Sequence, residues 1–534
     1  MSSTKCFSSC RQTPKTKCNL PRCTYTNGKT YKYCRLSQKY IMIKSKDGHC
    51  VTKKRQPKEI EAKKRIGKFM LMAINKRKLE ARQKIIEKIK RATYGRRIRT
   101  FMRKTTQKRR AEFLKAVCSD AGVCITFGQE ENKIRMFFNG FTKFDFVHGL
   151  IKRMGKPSNN GFVHSVEYMK NGYVAHSIIK SSAKMDGDNL FYEFMVGRFL
   201  NNICKIVPCF LETYGLYGYN NIANWKHAKN TQEISPDVFS ASLTRLNPNK
   251  NSTIQDSCAD SRLIAILIQY IHNAETLEDK MNNLTHDLRI NGSVNSTLFA
   301  NIHLPSILFQ VYRPLAQIMS TFTHYDLHRG NILLYIPVTN KYIHYHYHNP
   351  NGIMTEFKSE YIVKIIDYGR SFFVDKMSNI PTSSSSLYKA FCKEPICNIS
   401  EPCGGDRGFS WLRPEDRPGS NYYIFSQVNN ISHDLRLLYE ISNFSEHVID
   451  KNKKLYTIIN KVKYDARFGT KEIKRSGLPN NIFTINDAYK ELTAHLMDPE
   501  VKIENDTFYA DPKYSKLGDL YIHYDGRSMR FVKT

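Results

Sequence analysis

Several stretches between residues 170 and 370 have the apolar composition and length of β-strands. Residues 189–196 instead carry apolar side chains at helical spacing with few helix breakers, which predicts a helix. Between residues 216 and 261 no steady period remains and Asn, Ser and Pro are frequent, so we predict an insertion loop. The runs that predict strands are residues 173–180, 209–214, 263–270, 332–334 and 361–366. This mixture of strands and helices favours an α+β fold.

Residues 344–348 alternate between two residue types. His344, His346 and His348 alternate with tyrosines and are followed by the turn-forming residues 349–352. A period of two places the three imidazoles on one face of a strand, which would suit a metal site. An exposed hairpin that extends the neighbouring strands explains the pattern more simply, and we predict that hairpin.

The N-terminal part has a different pattern. Residues 59–90 keep apolar side chains on one side of a predicted helix, with Lys and Arg elsewhere. Such a helix can pack on the body of the chain, on a partner or on a membrane surface, and packing against protein is the commoner case. We therefore predict a partly helical basic extension at residues 51–117, preceded by a Cys-rich basic segment at residues 1–50.

Charge separates this extension from the rest of the chain. The formal net charge is +35, and residues 1–115 hold 36 Lys and Arg against 6 Asp and Glu, a net charge of +30. Such a segment is predicted to bind polyanions: nucleic acid, an acidic protein surface or an anionic membrane face. Aromatic residues are sparse in it, which favours contact with nucleic-acid backbones over recognition of bases.

Six of the 14 cysteines lie in the first fifty residues, and no two cysteines of the chain are spaced as Cys-x-x-Cys. A zinc site therefore lacks its strong signature, while disulfide bonds stay open for a segment with few apolar residues. The chain starts without an apolar run, so we predict no signal peptide. No apolar stretch reaches membrane-spanning length, so no transmembrane segment is predicted.

Two acidic motifs suggest phosphoryl transfer. Asp326 precedes Asn331 by five positions, and Asp367 follows the predicted strand at 361–366. In a phosphoryl-transfer loop an Asp can accept the proton of the attacking hydroxyl, and an Asn oxygen can help to hold Mg²⁺. Asp367 stands two residues before Gly369, where a sharp turn can direct a carboxylate towards metal-bridged phosphates. We therefore predict a catalytic role for Asp326 and metal binding by Asn331 and Asp367.

A lysine and a glutamate complete this constellation. Lys180 ends a predicted strand, and Glu193 lies thirteen residues later on the predicted helix. A strand Lys paired with a helix Glu can hold the α- and β-phosphates of ATP. Lys184 is the nearest competitor, but it follows the end of the strand pattern. We predict that Lys180 and Glu193 form the ion pair.

These motifs, in this order, resemble the protein kinase-like fold. The resemblance implies a two-lobed body that uses ATP and Mg²⁺, with one lobe at residues 118–270 and the other at residues 271–534. It also implies a hinge at residues 269–273, where backbone groups of Gln269 and Ile271 would meet the adenine.

Three further roles follow from the same resemblance. The phosphate-covering loop would be at residues 158–166, where the family's three spaced glycines are reduced to Gly161. His324 would support the catalytic loop. Asp434 would bond to the backbone of that loop.

The phosphoryl acceptor is less clear from the sequence than the fold. His328 stands where serine/threonine kinases usually have Lys, and the Asp-x-His arrangement resembles kinase-fold enzymes that act on small molecules and some atypical protein kinases. Residues 192–215 and 432–438 resemble the serine/threonine protein kinase-like proteins of nucleocytoplasmic large DNA viruses. This second resemblance covers about residues 118–534.

The viral resemblance implies a protein substrate and a location in the virion and the host cytoplasm, with acidic virion components as partners of the basic arm. Two alternatives stay open beside a working kinase. One is a catalytically weak kinase fold that serves as a virion scaffold, which the loss of glycines favours. The other is a basic packaging protein whose kinase-like body is secondary.

Overall fold

The computed structural model describes four short strands between residues 23 and 54, isolated helical residues between 61 and 80, Phe127, and most of residues 136–534. Its longer gaps in that last range are residues 156–160, 186–189, 254–259, 377–381, 391–425, 442–453 and 463–481. The chain forms two compact units, Met1–Lys108 and Arg109–Thr534. Within the described residues, every helix is too short or too polar to span a lipid bilayer.

The N-terminal unit contains two antiparallel hairpins that the sequence pattern did not predict. Strand β1 (Cys23–Asn27) pairs with β2 (Lys32–Leu36), and β3 (Tyr40–Lys44) pairs with β4 (Cys50–Lys54). Each strand has only five residues, a length at which alternation is hard to distinguish from a loop. The described residues between 61 and 80 are helical, as predicted, and the rest of the predicted stripe lies outside the described residues.

A seven-stranded antiparallel sheet begins the second unit. Its strand order is β10-β8-β11-β7-β6-β5-β9. The predicted strands at 173–180 and 263–270 are confirmed, whereas the run at 209–214 becomes a strand only from Thr213 onwards. The strands are β5 (Ile151–Met154), β6 (Gly161–Lys170), β7 (Tyr173–Ser182), β8 (Thr213–Tyr219), β9 (Glu233–Ile234), β10 (Leu243–Arg245) and β11 (Ile264–Gln269).

Both faces of the sheet are buried at strand β11, whereas along β6 and β7 buried residues alternate with partly exposed ones. Along β11, Ile264 and Ile266 face one apolar cluster, while Ala265 and Leu267 face another. The first cluster includes helix α1 (Leu190–Ile203), which confirms the helix predicted at 189–196. The alternation of side chains along a strand therefore determines which face of the sheet receives the helix.

The predicted insertion loop at residues 216–261 is wrong for its first thirty residues. Strand β8 continues to Tyr219 and is followed by helix α2 (Ile222–Asn230) and helix α3 (Pro236–Ser242). Trp225 and Phe239 from these helices are buried in the second apolar cluster of the sheet. Beyond Tyr219 the buried side chains are few and mostly widely spaced, so no helical period was visible.

The rest of the second unit is mainly helical. Residues 299–303 form a π-helical turn that leads into α6, and residues 436–441 form a further helical stretch. A large apolar cluster joins these helices to α1 and to the inner face of the seven-stranded sheet. The helices are α4 (Leu277–Asn291), α5 (Val294–Leu298), α6 (Leu304–Ile318), α7 (Ser384–Ala390), α8 (Lys454–Asn460), α9 (Ile485–Leu496) and α10 (Pro499–Phe508). The unit is therefore an α+β structure, as predicted.

Two small sheets lie among these helices, and one of them contains the predicted strands at 332–334 and 361–366. Their strand orders are β12-β14-β17 and β13-β18-β19. The pairing of Ile332 with Ile365 brings the end of the motif that contains Asp326 and Asn331 close to the start of the motif that contains Asp367. The strands are β12 (Glu275–Thr276), β13 (Phe322–Thr323), β14 (Ile332–Tyr335), β17 (Ile362–Ile365), β18 (Phe372–Asp375) and β19 (Thr382–Ser383).

The histidine-rich hairpin forms, but it is not simply an exposed extension. Strand β15 (Lys341–His348) pairs antiparallel with β16 (Met354–Ser359) and parallel with β20 (Ser515–His523). Strand β21 (Arg530–Lys533) completes a four-stranded sheet. Tyr345 and Tyr347 are fully buried on one face of β15. The sequence could not reveal β20 as a partner, because it lies about 170 residues further along the chain.

Candidate active site

Lys180 joins two acidic residues from different parts of the chain. Its Nζ donates to Glu193 Oε1 and Oε2 at 3.0 and 2.8 Å, and to Asp367 Oδ1 at 2.8 Å. Glu193 is buried on α1, so its charge is desolvated and needs the lysine as a partner. The predicted pair of Lys180 and Glu193 is thus present, while Lys184 is exposed beyond the end of β7.

Asp367 is held ionised and in an unusual backbone conformation. The ammonium of Lys180 lowers the pKa of its carboxyl to about 2, against the opposing effect of burial. Its φ of 69° lies in the left-handed region, which is uncommon for a residue other than Gly. The Ile366 N–H donates to the Asn331 carbonyl at 3.0 Å and ties the two motifs together. This turn directs the Asp367 carboxylate towards Lys180.

The loop of Asp326 is tied to Asn331 and to a residue that the sequence did not predict. Asn331 Nδ2 donates to the Asp326 carbonyl at 2.8 Å, which leaves the Asn331 side-chain oxygen as the atom that a cation would bind. Arg436 Nη1 donates to Asp326 Oδ1 at 2.9 Å. Both side chains of this ion pair are about one-tenth exposed, at 8% and 11%.

Arg436 also contacts Glu440, one helical turn away. Arg436 Nε donates to Glu440 Oε1 at 3.1 Å, and Glu440 Oε2 accepts the Arg329 N–H at 3.2 Å. The guanidinium is therefore clamped between two carboxylates, and one of them is the predicted catalytic Asp326. The only available sequence signal was that Arg436 follows Asp434 by two residues.

His324 and Asp434 form hydrogen bonds with the backbone of the Asp326 loop, as predicted. Asp434 is fully buried and accepts the backbone N–H of His324 at 2.8 Å and that of Tyr325 at 3.0 Å. Tyr325 has a φ of 64°, so this carboxylate helps to stabilise a strained turn next to Asp326.

The His324 ring is neutral and has one defined tautomer. Burial lowers the pKa of His324, although the nearby Asp434 and Asp326 oppose that effect. Nδ1 accepts the Asp326 N–H at 3.2 Å, so Nε2 carries the proton and donates to the Ile366 carbonyl at 2.9 Å. One imidazole therefore connects the Asp326 loop to the residue that precedes Asp367.

His328 shapes the next turn of the same loop. Its Nδ1 accepts the Gly330 N–H at 3.1 Å and caps the 3₁₀ turn Arg329–Asn331. Its Nε2 lies 3.9 Å from Asp326 Oδ1, too far for a hydrogen bond. His328 therefore has a structural role beside the carboxylate that Arg436 holds.

The residues predicted to bind the nucleotide lie at or near the ends of β6 and β11. The Gln269 N–H donates to the Glu212 carbonyl at 2.8 Å, and its side-chain oxygen accepts the Glu212 N–H, so neither is available to an adenine. Ile271 is buried in the main apolar cluster. Gly161 is the first residue of β6, opposite Ser182, and is not part of a loop. Residues 158–160 lie outside the described residues.

The donors at this site suit a hard divalent cation. Asp367 offers a carboxylate and Asn331 an amide oxygen, and Mg²⁺ prefers oxygen ligands together with water and phosphate. Lys180 supplies the positive charge that a polyphosphate would need. These donor types are therefore compatible with a magnesium-bound polyphosphate.

The chain was compared with protein-family models and with curated proteins, and neither comparison found a match.

Proposed function

We propose that residues 118–534 form a two-lobed protein kinase-like body that transfers the γ-phosphoryl group of ATP to a hydroxyl group. The observation that carries this proposal is the position of Lys180 Nζ, which is 2.8 Å from both Glu193 and Asp367. A strand lysine paired with a helix glutamate, beside a carboxylate that follows a second strand, is the charge arrangement that phosphoryl transfer requires.

The proposed step assigns one task to each residue. Lys180 binds the α- and β-phosphates, and Glu193 holds Lys180 in place. Asp326 accepts the proton of the attacking hydroxyl as the new phosphate ester bond forms and the bond to ADP breaks. Mg²⁺, held by Asn331 and Asp367, would neutralise charge on the phosphates. Most of the catalysis then comes from positioning and from electrostatic stabilisation.

The proposed acceptor is a serine or threonine hydroxyl of a protein, in line with the viral kinase-like proteins that the sequence resembles. The basic arm at residues 1–115 would hold the enzyme on nucleic acid or on acidic virion components. The virion and the host cytoplasm are the proposed locations.

A second candidate is a catalytically weak kinase fold that acts as a virion scaffold. The ion pair between Arg436 and Asp326 favours it, because Arg436 occupies one carboxylate oxygen of the residue proposed to accept the proton. The loss of two of the three loop glycines favours it as well. The two candidates differ in one measurable property, the rate of phosphoryl transfer.

The test is transfer of labelled γ-phosphate from ATP with Mg²⁺ by the purified full-length chain, with casein and histone as acceptors. We expect wild-type transfer, and a loss of about 10²- to 10⁴-fold in Asp326→Asn. Asp367→Asn should be similarly impaired because it weakens cation binding. The matched control is Asp237→Asn, an exposed carboxylate on α3. Thermal melting checks that each variant is folded.

Two outcomes would contradict the proposal. Equal transfer in wild type, Asp326→Asn and Asp367→Asn would show that these carboxylates do not carry the reaction. No transfer by any protein, together with undiminished binding of acidic partners, would support the scaffold.

A further inference from the structure

A second cluster of chemically active side chains lies in the four-stranded sheet. His344 and His346 project from the same face of β15, and Asp519 on β20 lies directly opposite His344. One ligand atom from each of these three residues lies within 4.8 Å of the others. None of the three belongs to the proposed phosphoryl-transfer site, so the inference below does not depend on that proposal.

The distances converge on one oxygen. Asp519 Oδ1 is 2.9 Å from His346 Nε2 and 3.6 Å from His344 Nδ1. A hydrogen bond accounts for the first distance but not for the second. Two ligand atoms about 2.1 Å from a tetrahedral zinc ion are about 3.4 Å apart, so small side-chain rotations would bring all three atoms to one ion. The His344 and His346 rings are already in contact, with centroids 4.1 Å apart.

Glu356 orients the central histidine. It lies on β16 directly opposite His346, and its Oε1 is 2.7 Å from His346 Nδ1. If Nδ1–H donates a hydrogen bond to this carboxylate, the Nε2 lone pair of the neutral ring faces Asp519 and can bind a cation. Carboxylate–histidine–metal arrangements of this kind are usual around zinc, where the carboxylate defines the tautomer and makes the imidazole more basic.

We propose that His344, His346 and Asp519 bind a zinc-type divalent cation, with Glu356 as the positioning residue behind His346. Two imidazoles and one carboxylate suit Zn²⁺ better than Mg²⁺, which prefers oxygen ligands. The bound ion would join β15 to β20, two strands that are distant in sequence. A cavity of about 150 Å³ is lined in part by His344 and Glu356.

Lys516 competes with the cation. Its Nζ is 2.8 Å from Asp519 Oδ1, the same oxygen that faces both histidines. A bound cation would repel this ammonium, and Lys516 must move away as the ion enters. Removal of the lysine charge should therefore tighten metal binding, whereas removal of Glu356 should weaken it.

The alternative is that His346 bridges Glu356 and Asp519 through hydrogen bonds at its two ring nitrogens, without any metal. That arrangement also explains the two short distances, but it gives His344 no role. It predicts no difference in metal content between the wild type and variants of His344.

The experiment compares cation binding by chelator-stripped full-length proteins, titrated with Zn²⁺ and, separately, with Co²⁺. Cobalt absorption separates nitrogen and oxygen ligation from thiolate ligation, which is needed because the N-terminus is rich in cysteine. The ligand variants are His344→Ala, His346→Ala and Asp519→Asn. The matched control is His348→Ala, which lies on the same face of β15 and stacks on His523 instead.

We expect the wild type and His348→Ala to bind one more equivalent of Zn²⁺ than each ligand variant. The difference between their cobalt spectra and that of each ligand variant should contain no thiolate bands. Glu356→Gln should retain the site with about 10- to 100-fold weaker affinity, and Lys516→Met should bind more tightly. Melting of the metal-free proteins shows whether each variant folds. Equal zinc content in the wild type and all three ligand variants, or no effect of Glu356→Gln and Lys516→Met, would overturn the proposal.

Discussion

Arg436 donates to Asp326 Oδ1 across 2.9 Å, although the two residues are 110 positions apart in the chain. The same guanidinium is anchored by Glu440. Only one carboxylate oxygen of Asp326 is bound in this way, so the other stays available to an acceptor hydroxyl. The guanidinium can thus hold the Asp326 carboxylate in one position.

The first prediction concerns this ion pair. Arg436→Ala should lower kcat for phosphoryl transfer about 10- to 100-fold, less than the loss of the base itself, because Asp326 loses its orientation but keeps its carboxylate. The KM for ATP should stay unchanged. The measurement is steady-state kinetics, with Arg527→Ala, from an exposed ion pair with Asp525, as the control. A rise in kcat would instead identify Arg436 as an inhibitory partner of Asp326.

The second prediction separates the two neighbouring lysines. Lys180→Met removes the ammonium that contacts both Glu193 and Asp367, so ATP binding or turnover should be strongly impaired. Lys184→Met is the matched control, because Lys184 is exposed and lies beyond β7. Titration with a fluorescent ATP analogue measures binding directly. Greater damage from Lys184→Met would refute the assignment of Lys180.

The third prediction concerns stability at acidic pH. His303 is buried against Tyr361 and Phe508, with ring centroids 5.2 Å away in each case. Burial, with a smaller contribution from Lys280, lowers its pKa to about 3. The unfolded chain binds a proton at this residue below about pH 6.5, and the folded chain does not. As the pH is lowered from about 6.5 to about 3, this residue alone should therefore reduce the free energy of unfolding by about 1.4 kcal/mol for each pH unit.

His303→Phe should remove that contribution and flatten the pH profile. The measurement is urea unfolding between pH 4 and 7, compared with the wild type. Glu360 provides a test of opposite sign, because burial raises the pKa of its carboxyl. The stability that the protonated Glu360 contributes is lost as pH rises. Glu360→Gln should therefore lower the free energy of unfolding at acidic pH relative to neutral pH. Parallel profiles for all three proteins would contradict both assignments.

The fourth prediction concerns the basic arm. Residues 1–115 carry a net charge of +30, so the full chain should bind duplex DNA with steep salt dependence and little sequence preference. For about six to ten phosphate contacts, affinity should fall about 10³- to 10⁵-fold between about 50 and 200 mM salt. A chain that lacks residues 1–108 should lose this binding and keep phosphoryl transfer. Salt-insensitive binding, or loss of transfer on deletion, would instead make the arm a part of the catalytic body.

Local features of the site could be predicted from the sequence. Lys180 ends a strand and Glu193 lies on a helix, and both assignments follow from apolar periods that neighbouring side chains produce. Asp326, Asn331 and Asp367 were found because their roles require a set order along the chain and predicted strands beside them. The hydrogen bonds of Asp434 to the loop backbone were expected from the resemblance to the protein kinase-like fold.

Other features were decided only by tertiary structure. The segment after residue 216 looked like a loop, because its few buried side chains, such as Trp225 and Phe239, become apolar neighbours only when they cover the sheet. The hydrogen bonds between Gln269 and Glu212, which lies 57 positions earlier, could not be predicted from the sequence. In each case the partner lies far away in sequence, and a local pattern carries no information about it.

The sequence by itself therefore determined the α+β composition, the placement of the acidic motifs and the separation of a +30 arm from a nearly neutral body. These properties depend on side chains that are close together along the chain, or on charge alone. The tertiary structure decided that Arg436 meets Asp326, and that Asp519 meets His346 from 173 positions away. Such contacts arise when packing of the apolar core brings distant strands and helices together, so they depend on the whole fold and not on any one segment.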